Sequence, residues 1–104
     1  MIITENLLSK VEANSDDLLD FHQGVEKEGL RVRGDKYASK EVHSDKLGHK
    51  LTHPYITTDY AENLLEFVSP VFTTNEELLN FIADIQAFAL KHMGDECIWP
   101  ASMP

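Results

Sequence analysis

"YITTDYAENLLEFVSPVF", residues 55–72, decides the fold because it fits two kinds of structure. Asp59, Glu62 and Glu66 recur at three- and four-residue spacing, which would line them along one face of a helix. Against that stand "YITT" and "LLEFVSPVF", rich in β-branched and aromatic residues and interrupted by Pro70. That composition favours strand. It predicts a strand over residues 63–69, with Glu66 sharing a face with Leu64 and Val68, and an extended stretch around Asp59.

Upstream, "GVEKEGLRV" (Gly24–Val32) places two glutamates in an otherwise apolar run, within a strand predicted over Gln23–Val32. Glu26 and Glu28 are two positions apart, so their side chains share a face. Carboxylates that close repel one another unless something positive lies between them. A solvated sheet face and a bound metal ion both satisfy that condition, and spacing alone leaves the two open. Glu26, Glu28, Asp59 and Glu66 all interrupt apolar sequence. Hard divalent cations such as magnesium take oxygen ligands of this kind and commonly share them with substrate phosphates.

The helices flank these strands. "TTNEELLNFIADIQAFALKHMG" has Thr74 and Glu77 in capping-box spacing, and an apolar stripe of Leu78, Ile82, Ile85, Ala89 and Met93. Lys91 and His92 fall in its last turn, and Gly94 stands where a helix ends. Near the N-terminus two short helical pieces are expected, capped by Thr4 and Ser15 and ended by Gly24. A Gly-Asp turn at residues 33–36 predicts a return strand from Tyr37 and Ala38. Residues 39–54 read as a loop with one helical turn, and "DECIWPASMP" as a tail with no room for another element. Short helices, short strands and one long helix make an α+β class.

The 104 residues amount to one small domain or part of a larger one. Nine Lys+Arg against eighteen Asp+Glu give a net charge of −9. That balance argues against nucleic acid or an anionic membrane as partner, and suits cations or substrates that arrive with them. Cys97 is the single cysteine, so neither an internal disulfide nor a cysteine zinc site is available. It reads as a buried or half-buried bystander. No secretory signal pattern and no apolar run of membrane-spanning length occur, so a soluble cytoplasmic protein is expected. His43, His49 and His53 lack a zinc-site spacing and read as surface residues, and His92 as a partner of a helix C-terminus. Arg31 reads as half of a structural ion pair and Trp99 as a packing anchor, and Glu62 stays outside the acid set.

"GVEKEGLRV", "LTHPYITTDYAENLLEF" and "WPASMP", in this order, resemble the N-terminal part of bacterial glutamate–cysteine ligase. The resemblance runs from about Gln23 to Pro104. It implies an N-terminal slice of a glutamine-synthetase-like antiparallel sheet with flanking helices, forming a single partial domain over residues 1–104. It also implies ATP- and Mg2+- (or Mn2+-) dependent joining of the γ-carboxylate of L-glutamate to L-cysteine, the first step of glutathione biosynthesis. The family's metal-binding acids fall on Glu26, Glu28, Asp59 and Glu66, and a residue lining its cysteine pocket falls on Tyr60, where many relatives carry Phe. Glu26, Glu28 and Glu66 are then expected to face one concavity. The family draws its nucleotide site from beyond these residues. The slice is therefore expected to be inactive alone, and to self-associate because sheet edges and the apolar stripe of the 75–93 helix are left partly uncovered. The reading from a different class is a non-catalytic acidic domain that binds metal or a partner protein.

Overall fold

The ambiguous stretch is a hairpin. In the structure, a computed structural model that describes residues 4–34 and 37–101, β2 (Ile56–Thr58) runs antiparallel to β3 (Leu64–Val68), with Ile56 opposite Phe67 and Thr57 opposite Glu66. The Asp59 N–H donates to the Leu64 carbonyl at 3.1 Å, which closes the turn between them. β3 pairs on its other side with β1 (Glu26–Val32), and β1 in turn with β4 (Cys97–Ile98). The result is a four-stranded antiparallel sheet in the order β2-β3-β1-β4.

Alternation along β3 settles which face is core. Leu65 and Phe67 point to one side with Ile56, and all three are buried. They meet α3 (Asn75–His92) through Ile85, Ala89 and Met93, with Leu47 filling the end of the layer. Apart from Ala89, each of these side chains, fully buried, contributes about 1.5–3 kcal/mol. The whole predicted stripe of α3 is buried, which corrects the expectation that it would lie partly uncovered. Thr74 accepts from the Glu77 N–H at 3.2 Å, and its hydroxyl donates to the Glu77 carboxylate at 2.9 Å. Gly94, just past the last turn, takes the left-handed φ of +67° that favours glycine there.

The tail departs most from the sequence reading. Instead of an element-free end, Cys97 and Ile98 form β4, and the Leu30 and Trp99 backbones continue the contact, with Trp99 N–H donating to Leu30 O at 2.8 Å. Gly29 makes this approach possible, since a Cβ there would stand 2.5 Å from Ile98 Cγ2 and 2.9 Å from the Trp99 carbonyl oxygen. Arg31 locks the tail. Its guanidinium, 1 % exposed, bonds both Glu96 carboxylate oxygens at 2.7 and 3.0 Å and donates to the Glu41 and Glu62 carbonyls. Cys97, expected buried or half-buried, is exposed, because pairing with Val32 turns it to the sheet face that α3 does not cover. Trp99 is only partly covered beside it.

Smaller corrections concern the loops and the first helices. The Asp45–Leu47 turn is the one helical turn expected within residues 39–54. His43 is buried rather than on the surface, with Nε2–H donating to Gly48 O at 3.0 Å. His53 is half-buried, its Nδ1 accepting from the Tyr55 and Ile56 N–H groups, while His49 is exposed. His92 Nδ1 lies 2.8 Å from the Phe88 carbonyl in the last turn of α3. β1 begins at Glu26, and Gln23 makes only a separate bridge to Phe72. The 33–36 turn lies partly outside the described residues, and its return strand is a single bridge, Val32 to Ala38. α1 (Glu5–Ala13) is capped by Thr4 as expected, but α2 (Ser15–Leu19) is preceded by Asn14 at its cap position and ends well before Gly24. Neither α1 nor α2 buries any residue. Among the described residues no helix is long and apolar enough to cross a membrane.

Candidate metal centre

The sheet face opposite α3 carries the acids. Glu28 is the direct cross-strand partner of Glu66, and Glu26 lies two residues before Glu28 on the same face. Thr57 pairs with Glu66 from the other side, so Asp59, two residues on, emerges toward the same place. Glu26, Glu28, Asp59 and Glu66 together line a concavity of about 340 Å³. Carboxylate oxygens of Glu28, Asp59 and Glu66 lie within 4.8 Å of one another. Glu26 borders this trio without joining it.

Such a set is electrostatically unfavourable by itself. Burial raises the Glu66 carboxyl above its ordinary value, and the charges of Glu26, Asp59 and Glu28 raise it further. The ion pairs among the described residues lie elsewhere: Arg31 with Glu96, Arg33 with Glu41 and Asp95, and Lys50 with Glu62. Glu62, kept outside the acid set, is thus an ion-pair partner that also accepts from the His43 N–H at 2.8 Å, and both contacts lower its pKa. Around an octahedral magnesium ion, adjacent oxygens stand about 3 Å apart and opposite ones about 4 Å. The three carboxylates would draw in toward one another to close on such an ion. Three hard oxygen donors with no cation between them fit magnesium or manganese.

Glutamate–cysteine ligase is the family whose model matches residues 6–104. The chain belongs to the glutamate–cysteine ligase family. Among curated relatives, the glutamate–cysteine ligase of Erwinia tasmaniensis is 46% identical over 97 residues, covering 93% of this chain and 19% of that protein. That of Aliivibrio fischeri is 41% identical over 99 residues, covering 95% and 19%. The chain spans about a fifth of the length of the curated relatives it matches. A solved glutamate–cysteine ligase from Francisella tularensis, in complex with AMP, superposes with a TM-score of 0.72 at 37% identity, over 74% of this chain and 16% of that one. A bifunctional glutathione synthetase from Pasteurella multocida superposes with a TM-score of 0.81 at 31% identity, over 92% and 13%. The antiparallel α+β fold expected from the family resemblance is the fold observed.

Tyr60 follows Asp59 at the bend, is 70% exposed and does not line the acidic concavity. Next to the acids, on the same sheet face, Leu30, Val32, Tyr37, Cys97 and Trp99 border a second, apolar groove of about 670 Å³. The sequence reading missed this groove and the tail that builds half of it. One signal was present: a glycine inside a strand, here Gly29, marks close backbone approach.

Proposed function

We propose that this chain forms the metal-binding part of a glutamate–cysteine ligase catalytic domain, with residues 1–104 as one partial domain. The observation that carries the reading is the convergence of Glu26, Glu28, Asp59 and Glu66 on one concavity without a cationic partner among the described residues. Glu28, Asp59 and Glu66 would hold Mg2+ or Mn2+ directly, and Glu26 would complete the shell or hold a second ion. Metal bound there neutralises charge on phosphates and lets an anionic substrate approach an acidic face.

In the overall reaction, glutamate's γ-carboxylate takes the γ-phosphoryl group of ATP to give an acyl phosphate, and the amine of cysteine displaces phosphate to form the amide. This chain's share is to hold the metal-binding carboxylates rigidly on paired strands, where the β1–β3 register fixes Glu28 against Glu66. Tyr60 would border the cysteine site. ATP, glutamate and cysteine are cytoplasmic metabolites, so the reading places the chain in the cytoplasm. On its own it would self-associate weakly through the edges of β2 and β4 and the uncovered apolar surface.

Manganese supplies the test, because it is paramagnetic. Titrating Mn2+ into the isotopically labelled chain should broaden the amide resonances of Glu28, Asp59 and Glu66 first. Glu28→Gln with Glu66→Gln should abolish that selectivity. Broadening spread evenly over the acidic surface, or unchanged in the double variant, would remove the proposed site.

A further inference from the structure

Residues 4–21 form an arm without a core of its own. Leu7, Leu8, Val11, Leu18, Leu19 and Phe21 are between 44 and 78% exposed. On α1 the three apolar residues follow i, i+1, i+4 spacing and so share one face. Apolar surface beyond on the order of a few hundred Å² marks a contact site. Isolated helices as short as these are also marginal in water, so packing must come from elsewhere.

The arm belongs to the family pattern. The family match begins at residue 6, inside α1. The superposition on the Pasteurella chain covers 92% of these residues, while residues 23–104 make up only roughly four fifths of them, so it extends into the arm. The same arm therefore recurs in a chain of which the match is 13%. Among the described residues no element covers it, and the relatives carry about four fifths of their length outside the match.

We infer that the apolar face of the α1–α2 arm is a docking surface for the ligase polypeptide outside this segment. The arm fastens the metal-bearing sheet to that body. This rests on the proposed function for the identity of the partner, but its test reads stability and not turnover. A chimera of the Erwinia tasmaniensis ligase, with this chain in place of its matching N-terminal segment, is compared with the 104-residue chain alone. Leu8→Asp with Leu19→Asp is introduced into both.

The expected result is a drop of more than about 5 °C in the Tm of the chimera, and a change within about 1 °C in the chain alone, where neither leucine is buried. Equal changes in the two, or a chimera that does not fold even with the leucines intact, would overturn the inference. A submicromolar dimer of the chain alone, abolished by the two substitutions while the chimera keeps its Tm, would also overturn it and make a second copy the occupant. Turnover of the chimera bears on the functional reading and leaves these outcomes untouched.

Discussion

Glu66→Gln should stabilise this chain in metal-free buffer, and the size of the gain follows from the geometry. Glu66 has the carboxylates of Glu28 and Asp59 within 4.8 Å. Each pair at that distance costs about 0.9 kcal/mol in a water-like dielectric, and about half that at 0.15 M salt, where the Debye length is about 8 Å. Two pairs therefore cost about 1 kcal/mol, before the burial of Glu66 is counted. Glutamine keeps the shape and removes the charge. For a chain of this size, 1 kcal/mol moves Tm by about 4–8 °C. The Glu66 carboxyl is raised in the folded state, so its cost is fully present above the folded-state pKa and is relieved as pH falls through it toward the ordinary 4.5. The advantage of the variant should accordingly be full at pH 7.5 and shrink at acid pH. Thermal unfolding by circular dichroism in EDTA measures it. Magnesium should then reverse the ranking: at ten times Kd it adds about 1.4 kcal/mol to the wild type and much less to the variant. A lower Tm for Glu66→Gln in EDTA, or equal gains from magnesium in both proteins, would refute the reasoning.

Four further outcomes are expected. Glu96→Gln leaves the Arg31 guanidinium buried without its counter-charge and should cost about 3–5 kcal/mol, read by urea denaturation; a loss below 1 kcal/mol would show the pair to be dispensable. Gly29→Ala places a methyl group against Ile98 and the Trp99 carbonyl and should free the tail, seen as loss of protection from hydrogen exchange at Trp99 with the β1–β3 amides still protected. Burial lowers the His43 pKa from 6.5, so its contribution is fully present above pH 6.5 and lost as pH falls toward the folded-state value, with a slope of at most about 1.4 kcal/mol per pH unit; replacement by Gln should flatten that part of the stability profile. The chain alone should show no ATP-dependent γ-glutamylcysteine formation, since positioning and charge stabilisation supply most of the rate in phosphoryl transfer; turnover lost in Glu28→Gln would contradict this.

The parts of the fold that sequence revealed are those held by short-range rules. α3 carries its cap, stripe and terminating glycine within its own residues, and β3 outweighed a helical spacing of acids because β-branched and aromatic composition agreed with Pro70. The convergence of Glu26, Glu28 and Glu66 needed only period-two alternation and a partner strand. What stayed hidden was set by distant neighbours. β4 is two residues long and has no pattern to read; it exists because Gly29 leaves room for it and Arg31 reaches Glu96. The exposure of Cys97 depends on that same tail, and the burial of His43 on a loop that brings Gly48 and Glu62 against it. Ser15 opens α2 rather than capping it, because Asn14, the residue that ends α1, also holds the cap position of α2 and makes no side-chain cap bond there.

The ion pair between Arg31 and Glu96 joins residues 65 positions apart, against 34 to 42 for the β1–β3 partners. Doubling a loop adds only about 0.6 kcal/mol of closure entropy, so equilibrium stability barely registers the difference. Timing does. A ribosome adding about 5–20 residues per second exposes β1 and β3 seconds before residue 96 emerges, and during that interval the Arg31 charge has no buried acid to meet. β1 must wait with one edge open until β4, made well after its other neighbour, arrives to close it.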